Sequence, residues 1–198
     1  MILPGKHIIL ASGSPRRREL LKGLDIDFVV DTKNTFNECF SPDTPFDKVP
    51  ELMAEGKSAG FHRPLLDSEI LITADTMVIL PPEGGLPGMI LGKPTDYADA
   101  CRMLRSLSGR KHHVITAVTI RSNSRKETFT ATTQVWFKDL SDEEIDYYVS
   151  TYKPFDKAGA YAIQEWIGHV GITRIEGSYF NVVGFPVQRV YEALKRFQ

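Results

Sequence analysis

The residues Ser12-Gly-Ser-Pro-Arg16-Arg17-Arg18 place three cations in the first turn of a helix that Ser14 would cap and Pro15 would start. A helix N-terminus already carries partial positive charge, so each cation there costs about 0.3–1 kcal/mol. An anion would reverse that cost by drawing on backbone N–H groups, serine hydroxyls and guanidinium forks, and phosphate fits best. The pattern GxxxxGK[ST] is absent, so the turn is not a P-loop. The bland alternative is arginines in solvent, paired with Glu19 and other nearby carboxylates.

A second candidate is Asp75, which interrupts the apolar run Ile72-Thr-Ala-Asp-Thr-Met-Val-Ile79. An unpaired buried carboxylate costs several kcal/mol, so Asp75 should meet a metal ion, a cation or backbone donors unless it is a turn aspartate bonded to its own backbone. A third is Phe155-Asp-Lys-Ala-Gly-Ala-Tyr-Ala-Ile-Gln164, whose small residues around Gly159 would let a ligand approach the backbone. The Gln164 carboxamide has a donor face and an acceptor face, matching the N3–H and O4 edge of uracil or thymine. Guanine also shows a donor beside an acceptor, and a surface glutamine on a tight turn needs no ligand at all. His112-His113 is a weak metal candidate, because neighbouring strand residues face opposite sides of a sheet.

These groups need a scaffold. Residues 7–11 read as a buried strand, followed by a helix that carries Leu20, Leu21 and Leu24 inward and stops at Gly23. Residues 28–31 read as a second strand and residues 32–45 as a loop bearing Glu38. Pro50 should start or kink the next helix, leaving residues 51–61, with Lys57, as its better part. Residues 70–73 and 77–80 read as two strands flanking Asp75, with turn chemistry over 81–88 and a short strand over 89–91. Thr95 is the expected N-cap of a helix ending near Gly109, with Ala98, Cys101, Leu104 and Leu107 inward. Residues 113–121 and 128–137 alternate with period two and form a long antiparallel hairpin. Ser141-Asp-Glu-Glu144 is a capping box for a helix to about Tyr152, and Pro186 opens a last helix with Val187, Val190, Tyr191 and Leu194 inward. The class is α/β with a partly antiparallel sheet.

A chain of 198 residues, 42% of them hydrophobic, can bury roughly 70% of its unfolded surface around one core, and no repeat or linker divides it. A single domain over residues 1–198 is expected, with two lobes within it possible. The 24 basic and 25 acidic side chains leave a net charge of −1, which argues against long nucleic acid as a partner. The longest apolar runs fall far short of the ~20 residues of a membrane span. Cys39 and Cys101 form no CxxC or ligand spacing, and the first residues show no signal-peptide pattern, so a cytoplasmic protein is expected.

The stretch Leu10-Ala-Ser-Gly-Ser-Pro-Arg-Arg-Arg-Glu-Leu-Leu21 resembles the signature of the Maf family of nucleoside triphosphate pyrophosphatases. Glu55-Gly-Lys57, Ala74-Asp75-Thr76, Leu91-Gly-Lys93-Pro94, Leu107-Ser-Gly109, the 156–164 segment and Gly177-Ser178 through Pro186 resemble the family in the same order. The resemblance implies a Maf/ITPase-like fold, with an elongated mixed sheet, flanking helices and a cleft between two lobes. It further implies hydrolysis between the α and β phosphates of a nucleoside triphosphate, with Mg2+ or another divalent ion such as Mn2+ or Co2+, by a homodimer.

By the same resemblance, Ser12, Arg16, Arg17, Lys57 and Lys93 match triphosphate-binding positions, and Glu38 and Asp75 match acidic positions expected to hold the metal. Asp75 is implied as proton acceptor for the attacking water. Arg17, Thr76 and Gln164 resemble the subgroup acting on dTTP and UTP rather than the 7-methyl-GTP subgroup; adjacency leaves open how Arg16 and Arg17 divide their roles. Residues 30–40 are about one residue longer than the family pattern, which makes Glu38 the nearest acidic match and Asp31 the fallback, and residues 81–88 extend a hairpin. Two competing expectations are an inosine or xanthosine triphosphate pyrophosphatase and a non-catalytic nucleotide-binding regulator of cell division.

Overall fold

In a computed structural model that describes residues 3–85 and 88–198, the opening apolar run is strand β1, His7–Leu10, followed by helix α1, Pro15–Lys22. Ser14 caps α1 by accepting from the Arg17 N–H, Pro15 sits in its first turn and Gly23 ends it, all as the residue types require. Strand β2 is Phe28–Val30, and helix α2 is Val49–Ala59, preceded by a 3-10 turn over Phe46–Lys48. Pro50 starts α2, and the helix lies two residues earlier than expected because Phe61 leaves it to bridge with Asn34.

The largest difference is strand β3, Glu69–Leu80, which is one continuous strand where two were expected. Asp75 does not break it, because its carboxylate finds a cation and so tolerates burial. The period-two alternation sorts its residues: Ile70, Ile72 and Ala74 enter one core, while Leu71, Thr73 and Asp75 point to the other face.

Strand β4, Met89–Leu91, pairs antiparallel with β3, Val78 opposite Leu91; within the expected turn over 81–88, Leu86 and Pro87 lie outside the described residues. Helix α3, Tyr97–Leu107, is capped by Asp96 rather than Thr95, since Asp96 accepts from the Asp99 N–H at 2.8 Å. The buried stripe is accordingly Ala100, Cys101, Met103, Leu104 and Leu107, with Ala98 exposed.

Strands β5, Lys111–Arg121, and β6, Lys126–Phe137, are adjacent in the sheet and are joined by a turn in which the Ser122 N–H donates to the Arg125 carbonyl. Helix α4, Asp142–Tyr152, opens with the expected capping box between Ser141 and Glu144. Helix α5, Trp166–Gly171, and strand β7, Ile172–Glu176, were not expected; β7 pairs antiparallel with β6. Helices α6, Tyr179–Val183, and α7, Val187–Leu194, complete the chain; α7 turns Ala193 inward, and Tyr191 stays partly exposed.

The seven strands form one mixed sheet in the order β2-β1-β3-β5-β6-β7, with β4 beside β3, and β1 is parallel to both β2 and β3. Contacts group the chain into two units: residues 3–75, 116–131 and 184–198, and residues 76–85, 88–115 and 132–183. Each has its own core. In the first, β1, β3 and α7 bury Ile8, Leu10, Ile70, Ile72 and Phe185; in the second, α3, α4 and β6 bury Leu104, Leu107, Val135, Ile145 and Tyr148.

Candidate active site

The polar face of β3 lies against α2. Thr73 Oγ1 donates to the Ala54 carbonyl at 2.7 Å, and two residues on, the Asp75 carboxylate accepts from Lys57 Nζ at 2.6 Å. Strand period two and helix spacing of three bring the pairs 73/54 and 75/57 into register. Asp75 is buried; an uncompensated charge there would be costly, and Lys57 offsets it.

Lys57 Nζ also meets Glu38 at 2.9 Å. Glu38 lies in the loop after β2, and an aromatic side chain holds that loop in place. The ring of Phe36 lies over Gly56, where a Cβ would come within 2.2 Å of its Cζ, and a Cβ on Gly60 would come within 2.7 Å of the Phe36 Cβ. Asn34 Nδ2 donates to the Lys57 carbonyl at 2.6 Å, and the Thr35 N–H donates to the Gly60 carbonyl at 2.9 Å. Two glycines four residues apart on one helix make the flat seat that delivers Glu38 to Lys57. Asp31 instead pairs with His62 at 2.9 Å, and that hydrogen bond lowers the Asp31 pKa below its ordinary value.

On the α1 side, the Arg17 guanidinium donates to the Gly184 carbonyl at 3.0 Å, the Ala74 carbonyl at 2.9 Å and Ser12 Oγ at 3.2 Å. It thereby ties the 12–14 turn to the strand position next to Asp75. Burial lowers the Arg17 pKa, and the charges of Asp75 and Glu38 oppose that shift, so both carboxylates lie within its field. Ser12 is buried and Arg16 half-buried.

The other candidates lie in the second unit. Thr76 follows Asp75 on β3 and is half-buried, and Lys93 is exposed just after β4. The Gly159 N–H donates to the Gly92 carbonyl at 3.0 Å, which joins the Lys93 loop to the 158–160 turn. Gly159 has φ +69° and no room for a Cβ against Val78, so glycine is required there. Residues 159–163 are buried, and Gln164 emerges exposed from them along a hollow of about 400 Å3 that Ile175 and Tyr179 also line. His112 is a core residue: its Nε2 meets the Tyr161 hydroxyl at 2.7 Å, its ring packs edge-on to Phe137, and burial pushes its pKa down to about 3.

The two acidic candidates present a carboxylate oxygen each to one point. An oxygen-only pair suits Mg2+ or Mn2+, which take one or two carboxylates together with phosphate oxygens and water. Among the described residues no group of three or more His, Cys, Asp or Glu could hold an ion unaided, so Glu38 and Asp75 would share it with a phosphate-bearing ligand. Sequence reasoning missed Phe36, Gly56, Gly60, Tyr148 and Glu165; of these, only the glycine spacing left a signal, as a Gly-x-x-x-Gly face on α2.

Residues 7–197 match the family model described as "Maf-like protein". The chain is 48% identical over 189 residues to a protein of Phocaeicola vulgatus named dTTP/UTP pyrophosphatase, covering 96% of this chain and 95% of that one. A Flavobacterium psychrophilum protein of the same name is 50% identical over 184 residues, 93% of this chain and 91% of the relative. Among solved structures, the Staphylococcus aureus Ham1 protein aligns with a TM-score of 0.49 at 16% identity, over 95% of this chain and 100% of that one. An α/β protein with paired acids on a lysine and a basic helix start is thus placed by sequence: the chain belongs to the Maf family.

Proposed function

We propose that this protein hydrolyses dTTP and UTP to the monophosphate and pyrophosphate, removing them or their modified-base relatives from the nucleotide pool. The observation that carries the reading is Lys57 Nζ set between Glu38 at 2.9 Å and Asp75 at 2.6 Å, within the field of Arg17. The names of the relatives support the substrate class.

In-line attack at phosphorus needs neutralised phosphate oxygens and one group that orients water and takes its proton. Asp75 is placed for the second task, because its strand holds it rigidly and Lys57 fixes its orientation. Ser12, Arg16, Arg17, Lys57 and Lys93 supply the hydroxyl and cations for the first. Glu38 and Asp75 would hold Mg2+, or Mn2+ or Co2+ in its place, which when bound adds positive charge beside the phosphates. Thr76 and Gln164 are assigned to the base, Gln164 by donating to O4 and accepting from N3–H. The same reading takes the enzyme as a cytoplasmic homodimer; the family resemblance of the sequence supports it, and sedimentation tests the dimer.

Product analysis over dTTP, UTP, CTP, ITP and 7-methyl-GTP, with and without Mg2+, tests the proposal. Pyrophosphate release from dTTP and UTP alone, dependent on the metal, is expected. Preferred turnover of ITP, or binding with no monophosphate formed, would overturn it.

A further inference from the structure

The base-reading role of Gln164 poses a physical problem. A carboxamide turned over by 180° presents the opposite edge, so the same glutamine that accepts from uracil N3–H and donates to O4 can donate to cytosine N3 and accept from N4–H. Discrimination between the two bases therefore depends on how firmly the segment bearing the glutamine is held.

That segment is gripped on both sides of Gln164 by one buried hydroxyl. Tyr148 of α4 is fully buried and donates its O–H to the Glu165 carboxylate. The same oxygen accepts the Ala162 N–H at 3.1 Å. Glu165 also receives Lys157 Nζ at 3.3 Å, and its own N–H closes a turn back to the Ala162 carbonyl at 3.1 Å. Ala162 and Glu165 thus bracket Gln164, and both are pinned to a ring that cannot move without opening the α3/α4 core. None of these groups has a part in the phosphate chemistry.

We infer that Tyr148, acting through Ala162 and Glu165, is a positioning residue for pyrimidine selectivity, holding Gln164 where it favours a uracil-type edge over a cytosine-type edge. This rests on the base-reading role proposed above for Gln164. Its signature is a ratio. UTP and CTP differ only at the N3/C4 edge, so the quotient of their kcat/KM values is independent of the fraction of enzyme that is folded, whereas a merely structural tyrosine would lower both in proportion.

The test measures kcat/KM for UTP and CTP with Mg2+ in the full chain and in the variants Tyr148→Phe, Glu165→Gln and Gln164→Glu. Tyr148→Phe keeps the ring and removes both hydrogen bonds, and it is expected to lower the UTP/CTP quotient about tenfold, the worth of one well-placed hydrogen bond. Glu165→Gln, which keeps size and weakens the Lys157 and Tyr148 contacts, is expected to lower it by a smaller factor and decides the matter if Tyr148→Phe does not fold. A quotient that moves in Gln164→Glu but stays within about twofold of the unaltered chain in both other variants overturns the positioning role alone. A quotient unmoved by Gln164→Glu overturns the base-reading role and the positioning role with it.

Discussion

Lys57 in the first unit and Lys157 in the second make the same kind of contact to different ends. Lys57 lies between Glu38, its side chain 59% exposed, and Asp75, 13% exposed; Lys157 lies between Asp156, 57% exposed, and Glu165, 23% exposed. Each lysine thus joins a solvated carboxylate to a shielded one. Their neighbours differ. Beside the first trio stands Arg17, so cations balance the two acids and a polyanion can enter. Over the second trio lies the Tyr148 hydroxyl, which donates into Glu165 and leaves one cation for two acids. The residue types alone do not separate a reactive cluster from a fastening; the charge and hydrogen-bond donors around it do.

Substitutions that hit one trio and spare the other test this contrast. Asp75→Asn should lower pyrophosphate release from dTTP by about 10²–10⁴-fold, the range for loss of a proton acceptor; a variant with full activity would remove Asp75 from the chemistry. Lys57→Gln should cost about a hundredfold in kcat/KM through lost phosphate stabilisation and a misplaced Asp75, measured in the same assay. Gly56→Val should push Phe36 off α2 and withdraw Glu38, with about a tenfold loss that raised Mg2+ partly restores, seen in metal titrations of the rate.

In the second trio, Lys157→Gln should leave UTP turnover within a few-fold. It should cost about 1–2 kcal/mol of stability, a discounted value for partly solvated partners, and lower Tm by about 3–6 °C in thermal melts. The smallest effect on activity is a pH effect on the second core. The His112 pKa is about 3 in the fold against an ordinary 6.5, so the unfolded chain binds the proton first. Stability is complete above pH 6.5 and is lost as pH falls toward 3, by about 2 kcal/mol at pH 5. Melting curves at pH 7 and pH 5 measure it, and His112→Gln should flatten the difference.

Much of the scaffold was legible because single residues dictate it: Ser14 and Pro15 start α1, and Ser141 with Glu144 starts α4. Asp75 misled the reading of β3, since a lone carboxylate in an apolar run reads as a break until Lys57, eighteen residues away in sequence, is seen beside it. Thr95 lost the α3 cap to Asp96 because two good capping residues adjoin and only the chain's path chooses between them. The candidate acids and cations were readable from type and resemblance. The Phe36 seat and the Tyr148 clasp were not, because an aromatic residue carries no mark of which loop it will hold.

The continuity of β3 also divides the entropy of the reaction unevenly. Asp75 rides on a twelve-residue strand, so its backbone freedom is surrendered once, when the chain folds. Glu38 rides on a loop fastened by one ring and a few hydrogen bonds, and its ordering is renewed whenever that loop lifts. The temperature dependence of turnover should therefore report on the loop: tightening the Phe36 seat would change the activation entropy, while the strand beneath the proton acceptor contributes almost none.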